Sequence, residues 1–118
     1  MKKVLVVDDI VEMAASLKGI LNAYGLECDV AFKPSEAYNL IKSTKYDLVL
    51  CDTEMPEMPG YYLKKKLDDE GIKSCFIGMS GLKKYKENWE KLGCEFIEKG
   101  GVKFYDDIKI IMEELKKE

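Results

Sequence analysis

The sequence predicts an α/β fold in which five parallel strands are covered by helices on both faces. Short apolar runs alternate along the chain with segments in which apolar residues recur every three or four positions. Three of the apolar runs are continuous rather than alternating, which is typical of strands buried on both faces. The chain has 118 residues and 47% apolar content, which suits one domain with a packed core. The predicted strands are residues 4–7, 28–32, 48–51, 75–79 and 96–97.

Five helical segments follow the five strands. In the first, apolar residues recur from Ile10 to Tyr24, and Gly25 stands where helices often end on glycine. Pro34 suits the first turn of the second helix. The third helix, residues 60–69, has only a thin apolar stripe. Two further stripes predict the last helices: Leu82, Tyr85, Trp89 and Leu92, and then Phe104, Ile108, Ile111, Met112 and Leu115.

The charged residues exclude several classes of protein. The net charge is −3, all 19 basic residues are lysine, and histidine is absent. Without arginine, direct recognition of nucleic acid sequence is disfavoured. Without histidine, a Ser-His-Asp triad is excluded, and a divalent metal would need the oxygen ligands that Mg²⁺, Ca²⁺ and Mn²⁺ prefer. No apolar run approaches the roughly 20 residues of a membrane span, and the N-terminus lacks a signal peptide, so we expect a cytoplasmic protein.

The cysteines give no sign of a metal or disulfide site. No two of them form a CxxC motif, and each lies in or beside an apolar run. We therefore expect Cys28, Cys51, Cys75 and Cys94 to be buried, reduced thiols. A redox role for Cys51, beside Asp52, is the alternative.

Polar side chains stand at the carboxyl ends of four predicted strands. The first strand ends in Asp8 and Asp9, the third in Asp52, the fourth in Ser80 and the fifth in Lys99. Ligands of open parallel sheets bind at these strand ends, so the five side chains are expected to converge. Single aspartates after strands often only form turns or cap helices. Together, however, these groups supply an oxygen cage, a nucleophile, a hydroxyl and a cation, as phosphoryl transfer requires.

The whole chain resembles the receiver domain of bacterial two-component response regulators. The most specific signal is the loop after the third strand, which reads Asp52-x-x-Met55-Pro56-x-x-x-Gly60. The remaining positions that carry the resemblance are Asp8, Asp9, Ser80, Phe96 and Lys99.

The resemblance implies a flavodoxin-like (βα)5 doubly wound parallel sheet with strand order 2-1-3-4-5. It implies that Asp52 accepts a phosphoryl group from a phosphohistidine on a partner histidine kinase or phosphotransferase. Such a protein is not classed as an enzyme, although it catalyses its own phosphorylation and dephosphorylation. Mg²⁺ would be held by Asp9, Asp52 and the backbone carbonyl of Glu54, with Asp8 helping through water. Ser80 and Lys99 would bind the phosphoryl oxygens.

The resemblance also implies how the signal would leave. Ser80 and Phe96 would act as the switch residues and change the face formed by helix 4, strand 5 and helix 5, where a downstream protein would bind. We expect residues 1–118 to form one receiver domain without an output domain, as in chemotaxis-type regulators or phosphorelay intermediates. Gly100 replaces the usual proline after Lys99, Gly81 stands where alanine is frequent, and Glu54 occupies a position that tunes the phosphoryl lifetime.

Two alternatives stay open. A pseudo-receiver would keep the fold as an interaction domain without being phosphorylated. A phosphatase of the haloacid dehalogenase type would also use an aspartyl nucleophile and Mg²⁺, but it would carry a second aspartate two residues later, where this chain has Glu54 after Asp52 and Ile10 after Asp8.

Overall fold

The strands and helices occur in the predicted order. The computed structural model describes residues 2–118. Its elements are β1 (Lys3–Val7), α1 (Val11–Ala23), β2 (Glu27–Ala31), α2 (Pro34–Ser43), β3 (Leu48–Asp52), α3 (Gly60–Asp69), β4 (Phe76–Ser80), a 3₁₀ turn (Lys83–Tyr85), α4 (Lys86–Glu90), β5 (Glu95–Glu98) and α5 (Val102–Lys117).

The five strands form one parallel sheet in the order β2-β1-β3-β4-β5, as predicted. This order makes β1 and β3 neighbours, so the carboxylates at their carboxyl ends lie side by side. The side chains of each central strand alternate between two apolar cores. One core packs Leu17 of α1 and Phe104 of α5 against the sheet, and the other packs Leu63 of α3 and Trp89 of α4 against its opposite face. The sheet is therefore covered on both sides, as the continuous apolar strands require.

Helix α4 is shorter than the sequence predicts. A 3₁₀ turn precedes it, and α4 itself spans only Lys86–Glu90. Leu82 lies outside both elements in an extended conformation, and 45% of its surface is exposed. Gly93, with a φ of 75°, ends the segment in a left-handed turn. Of the predicted stripe, Trp89 is the fully buried residue, so this helix is held by one large side chain.

The prediction that all four cysteines are buried is wrong for one of them. Cys28, Cys51 and Cys94 are buried, but Cys75 is exposed because it precedes β4 at the amino end of the sheet. Burial raises the pKa of the Cys51 thiol well above its ordinary value, with the Asp52 and Asp8 charges adding to the effect. A thiol in this state is not ionised at neutral pH, which argues against the redox alternative.

Within residues 2–118, no helix is both long enough and apolar enough to cross a membrane.

Helix α1 contains a glycine whose replacement should stabilise the protein. Gly19 lies in the helix interior, and a Cβ built there meets no atom within 4 Å. Alanine loses less backbone freedom on folding than glycine does. We expect Gly19→Ala to raise the free energy of unfolding by about 1 kcal/mol. Urea unfolding followed by circular dichroism measures the change, and an unchanged or lowered midpoint would contradict the expectation.

Candidate functional site

Three carboxylates converge at the carboxyl edge of the sheet. Asp8 and Asp9 follow β1, and Asp52 is the last residue of β3. One oxygen from each lies within 4.8 Å of the others. Asp8 is fully buried and Asp52 is 6% exposed, whereas Asp9 is open to solvent. The predicted meeting of these three side chains is therefore present in the fold.

Lys99 completes the cluster from the end of β5. Its Nζ lies 2.7 Å from Asp8 Oδ2 and 3.3 Å from Asp52 Oδ1. Its backbone N–H donates to the carbonyl of Ser80 at 2.8 Å, which fixes the start of its loop to β4. Burial lowers the pKa of Lys99, but its hydrogen bond to Asp8 and the two carboxylate charges outweigh burial, so the pKa is raised overall. Lys99 therefore stays cationic in this buried position.

The carboxylate of Asp52 is held from one side only. Its Oδ1 accepts the backbone N–H of Thr53 at 2.9 Å and faces Lys99. Within residues 2–118, Oδ2 accepts no hydrogen bond, which leaves it free to act as a nucleophile or a metal ligand. Burial and the Asp8 charge raise the pKa of Asp52 to about 6, against the lowering effects of Lys99 and the Thr53 hydrogen bond.

The predicted switch residues lie on β4 and β5, the two strands nearest to Lys99 in the sheet. Ser80 ends β4, is 2% exposed, and its Oγ accepts the N–H of Leu82 at 3.0 Å. Phe96 lies in β5 opposite Gly78 and packs partly buried against the core on the α4 side. Glu54 is exposed two residues beyond Asp52, and its role stays a prediction.

Sequence reasoning missed Thr53 and Trp89. Thr53 is fully buried directly after the site aspartate, and its Oγ accepts the indole N–H of Trp89 at 2.9 Å. Nothing in the local sequence signals this contact, because the two residues are 36 positions apart. The apolar stripe did indicate that Trp89 faces the core, and its burial confirms this.

The sequence also missed Glu57, which clips the loop after β3 to helix α2. Glu57 adopts a left-handed conformation with a φ of 73°, which is uncommon for a residue other than glycine. Its carboxylate accepts the backbone N–H and the Oγ–H of Ser35, both at 2.8 Å. These hydrogen bonds lower the pKa of Glu57. One of them also pairs a backbone N–H in the first turn of α2, where the N-cap residue, Lys33, makes no side-chain hydrogen bond.

The raised pKa of Asp52 predicts a pH dependence of stability in the metal-free protein. A carboxyl group with a folded pKa of about 6, against an ordinary pKa of 3.8 in the unfolded chain, binds its proton more tightly in the folded state. Its stabilising contribution is full below about pH 4 and is lost as the pH rises through about 6. In EDTA, the wild type should lose stability relative to Asp52→Asn between about pH 4 and pH 6, with no further loss at higher pH. Urea unfolding of both proteins across this range measures the difference, and a constant difference would contradict the expectation.

Comparison with known proteins identifies the class to which this fold and site belong. Residues 4–100 match the response regulator receiver domain family. The chain belongs to this family, whose members act in phosphorylation-based two-component signalling.

Solved structures and sequence relatives agree with that assignment. The response regulator TrrA from Thermotoga maritima, solved in complex with Mg²⁺–BeF, is 30% identical with a TM-score of 0.84, over 99% of this chain and 98% of that one. The transcriptional regulatory protein ZraR of Salmonella typhimurium is 34% identical over 54% of this chain and 14% of its own length. The sensor histidine kinase RcsC of Escherichia coli K12 is 32% identical over 65% of this chain and 8% of its own length. The matched stretch is thus a small part of both relatives.

Proposed function

We propose that Asp52 is the phosphoacceptor of this receiver domain and that a partner phosphohistidine is the donor. The observation that carries the proposal is the convergence of Asp52 with two further carboxylates and Lys99 at one sheet edge. The chain itself contains no histidine, so the donor must be another protein or a small phosphate compound. The similarity of residues in this chain to part of a sensor histidine kinase supports a partner from the same signalling systems.

The carboxylate cluster fits a hard divalent cation. Three carboxylates against one ammonium leave an excess of negative charge in a largely buried site. Oxygen ligands of this kind suit Mg²⁺, which the complex of TrrA also contains. Asp8, Asp9, Asp52 and the backbone carbonyl of Glu54 would hold the ion. When bound, Mg²⁺ neutralises charge on the transferring phosphoryl oxygens.

The side chains of this protein would then divide the reaction among them. An oxygen of Asp52 forms the new bond to phosphorus while the phosphorus–nitrogen bond of the phosphohistidine breaks, and the electron pair stays on the imidazole nitrogen, which takes up a proton. The Oδ2 atom is the accessible nucleophile because Oδ1 already accepts a hydrogen bond from Thr53. Lys99 and Ser80 would bind the phosphoryl oxygens. Hydrolysis by the same groups would return Asp52 to its starting state.

The phosphorylated state would be detected by a downstream protein. We expect it at the face made by α4, β5 and α5, where Val102, Tyr105 and Ile110 of α5 are exposed apolar or aromatic side chains. Ser80 and Phe96 would link this face to Asp52. This signalling role belongs in the cytoplasm, where such a kinase partner would act.

Incubation with Mg²⁺ and acetyl phosphate tests the proposal. Intact mass spectrometry should detect one added phosphoryl group that is stable in acid and released by base. A parallel sample in EDTA should show none. A wild-type protein that takes up no phosphoryl group in Mg²⁺ would favour the pseudo-receiver alternative instead.

A further inference from the structure

We infer that Trp89 is a positioning residue for the phosphoacceptor, and that it couples Asp52 to helix α4 through the hydroxyl of Thr53. The inference rests on the proposed role of Asp52. It adds a second connection between that residue and the face of α4, separate from Ser80 and Phe96.

Thr53 is hydrogen-bonded through each of its polar groups. Its Oγ accepts the Trp89 Nε1–H at 2.9 Å and donates to the carbonyl of Met79 at 2.7 Å. Its backbone N–H donates to Asp52 Oδ1 at 2.9 Å, and its carbonyl accepts the N–H of Gly60 at 2.9 Å. Because Thr53 is completely buried, none of these partners can be replaced by water without local opening. The orientation of the Asp52 carboxylate is therefore fixed partly by the indole of Trp89.

The indole itself has little freedom to move. A Cβ built on Gly78 of β4 would lie 2.3 Å from Trp89 Cδ2, and one built on Gly60 would lie 3.1 Å from Trp89 Cζ2. The ring therefore rests directly on the sheet backbone at Gly78, in space that any larger residue would occupy. It also stacks on Phe76 with 6.2 Å between ring centroids and 26° between the planes. These contacts keep Nε1 aimed at Thr53.

The hydroxyl of Thr53 also connects the site to the carboxyl end of β4. The carbonyl that Thr53 binds belongs to Met79, which immediately precedes Ser80. A change around Asp52 that moves Thr53 or the end of β4 must therefore either break the indole hydrogen bond or move Trp89 with it. Trp89 sits in a helix of five residues, so its displacement displaces α4.

The test uses both partners of the hydrogen bond. Thr53→Val keeps the side-chain shape but removes the hydroxyl, and Thr53→Ser restores it. We expect Thr53→Val to slow phosphorylation by acetyl phosphate in Mg²⁺ about fivefold to tenfold, because it removes a buried hydroxyl that is hydrogen-bonded to both Trp89 and Met79. Thr53→Ser should recover most of the rate. Thr44→Val is the matched control, because Thr44 directly follows α2, away from the carboxylate cluster, and is the only other threonine in the chain. Its rate should equal that of the wild type.

Trp89→Phe tests the coupling itself. It removes the Nε1–H, and combined with Thr53→Val it should slow the reaction no further than Thr53→Val alone, because Thr53→Val has already removed the acceptor of that hydrogen bond. Fluorescence gives a second readout, since Trp89 is the only tryptophan. Beryllofluoride with Mg²⁺ should change its emission in the wild type and in Thr53→Ser, and change it much less in Thr53→Val. Thermal unfolding of each variant confirms that it is folded.

The outcomes separate this inference from the proposed function. If the wild type is phosphorylated but Thr53→Val matches its rate and its fluorescence response, the coupling is refuted and the role of Asp52 stands. Additive effects in the double variant would also refute the coupling. If the wild type is not phosphorylated at all, both ideas fall.

Discussion

Replacing Asp52 with asparagine is expected to abolish phosphoryl uptake from acetyl phosphate. The amide cannot form the acyl phosphate bond, and the two other carboxylates of the cluster are held in different surroundings. Asp8 is fully buried and bound to Lys99, and Asp9 lies outside the strand on the solvent side. The variant should nevertheless fold, because it removes one of three crowded negative charges. Intact mass measured after incubation in Mg²⁺ gives the answer directly.

A matched variant separates the site from general effects of charge. Asp69→Asn makes the same chemical change at the exposed end of α3, where the carboxylate lies 3.1 Å from Lys65. It should be phosphorylated like the wild type. Uptake by Asp52→Asn at a comparable rate would mean that another residue is the acceptor, and the proposed function would have to be moved to it.

Replacing Gly78 with alanine is expected to destabilise the protein by about 3 kcal/mol. The new methyl group would lie 2.3 Å from the Trp89 ring, closer than any ordinary contact. Because β4 lies inside the sheet and Trp89 is fully buried, neither partner can move away without disturbing the core. Urea unfolding compared with the wild type measures the loss.

Two controls show whether the contact with Trp89 is responsible. Gly19→Ala adds the same methyl group in open space and should have the opposite sign. In a Trp89→Phe background, Gly78→Ala should be less destabilising, because the smaller ring leaves room for the methyl group. An equal loss in both backgrounds would mean that the strain lies elsewhere, for example in the strand itself.

Much of the site could be predicted because its polar side chains lie at the carboxyl ends of strands. A buried strand is visible as a continuous apolar run, so the polar residue that ends it is visible too, as with Asp52 after residues 48–51. Parallel strands bring such ends to one edge. The meeting of Asp8, Asp9, Asp52 and Lys99 followed from this rule, once β1 and β3 were expected to be neighbours.

The missed features depend on pairs of residues far apart in the chain. The packing of Trp89 on Gly78 requires the register of β4 and the path of α4, neither of which is encoded in a local pattern. The length of α4 was overestimated because an apolar stripe gives the period of a helix but not its ends, which Gly93 and the 3₁₀ turn determine. Cys75 was predicted to be buried because it has apolar neighbours in the sequence. Those neighbours do not show that β4 begins only at the next residue.

The bond between Glu57 and Ser35 has a practical consequence for protein engineering. Residues 52–60 look like an independent loop that could be transplanted. However, Glu57, the residue with the left-handed backbone, is hydrogen-bonded to Ser35 at the start of α2, more than twenty positions upstream. A chimaera that takes over this loop alone could lose the hydrogen bonds that hold Glu57 in place. We expect such a graft to keep both hydrogen bonds of Glu57 only when the recipient also carries a serine at the matching helix start, because another residue there would supply the backbone N–H alone.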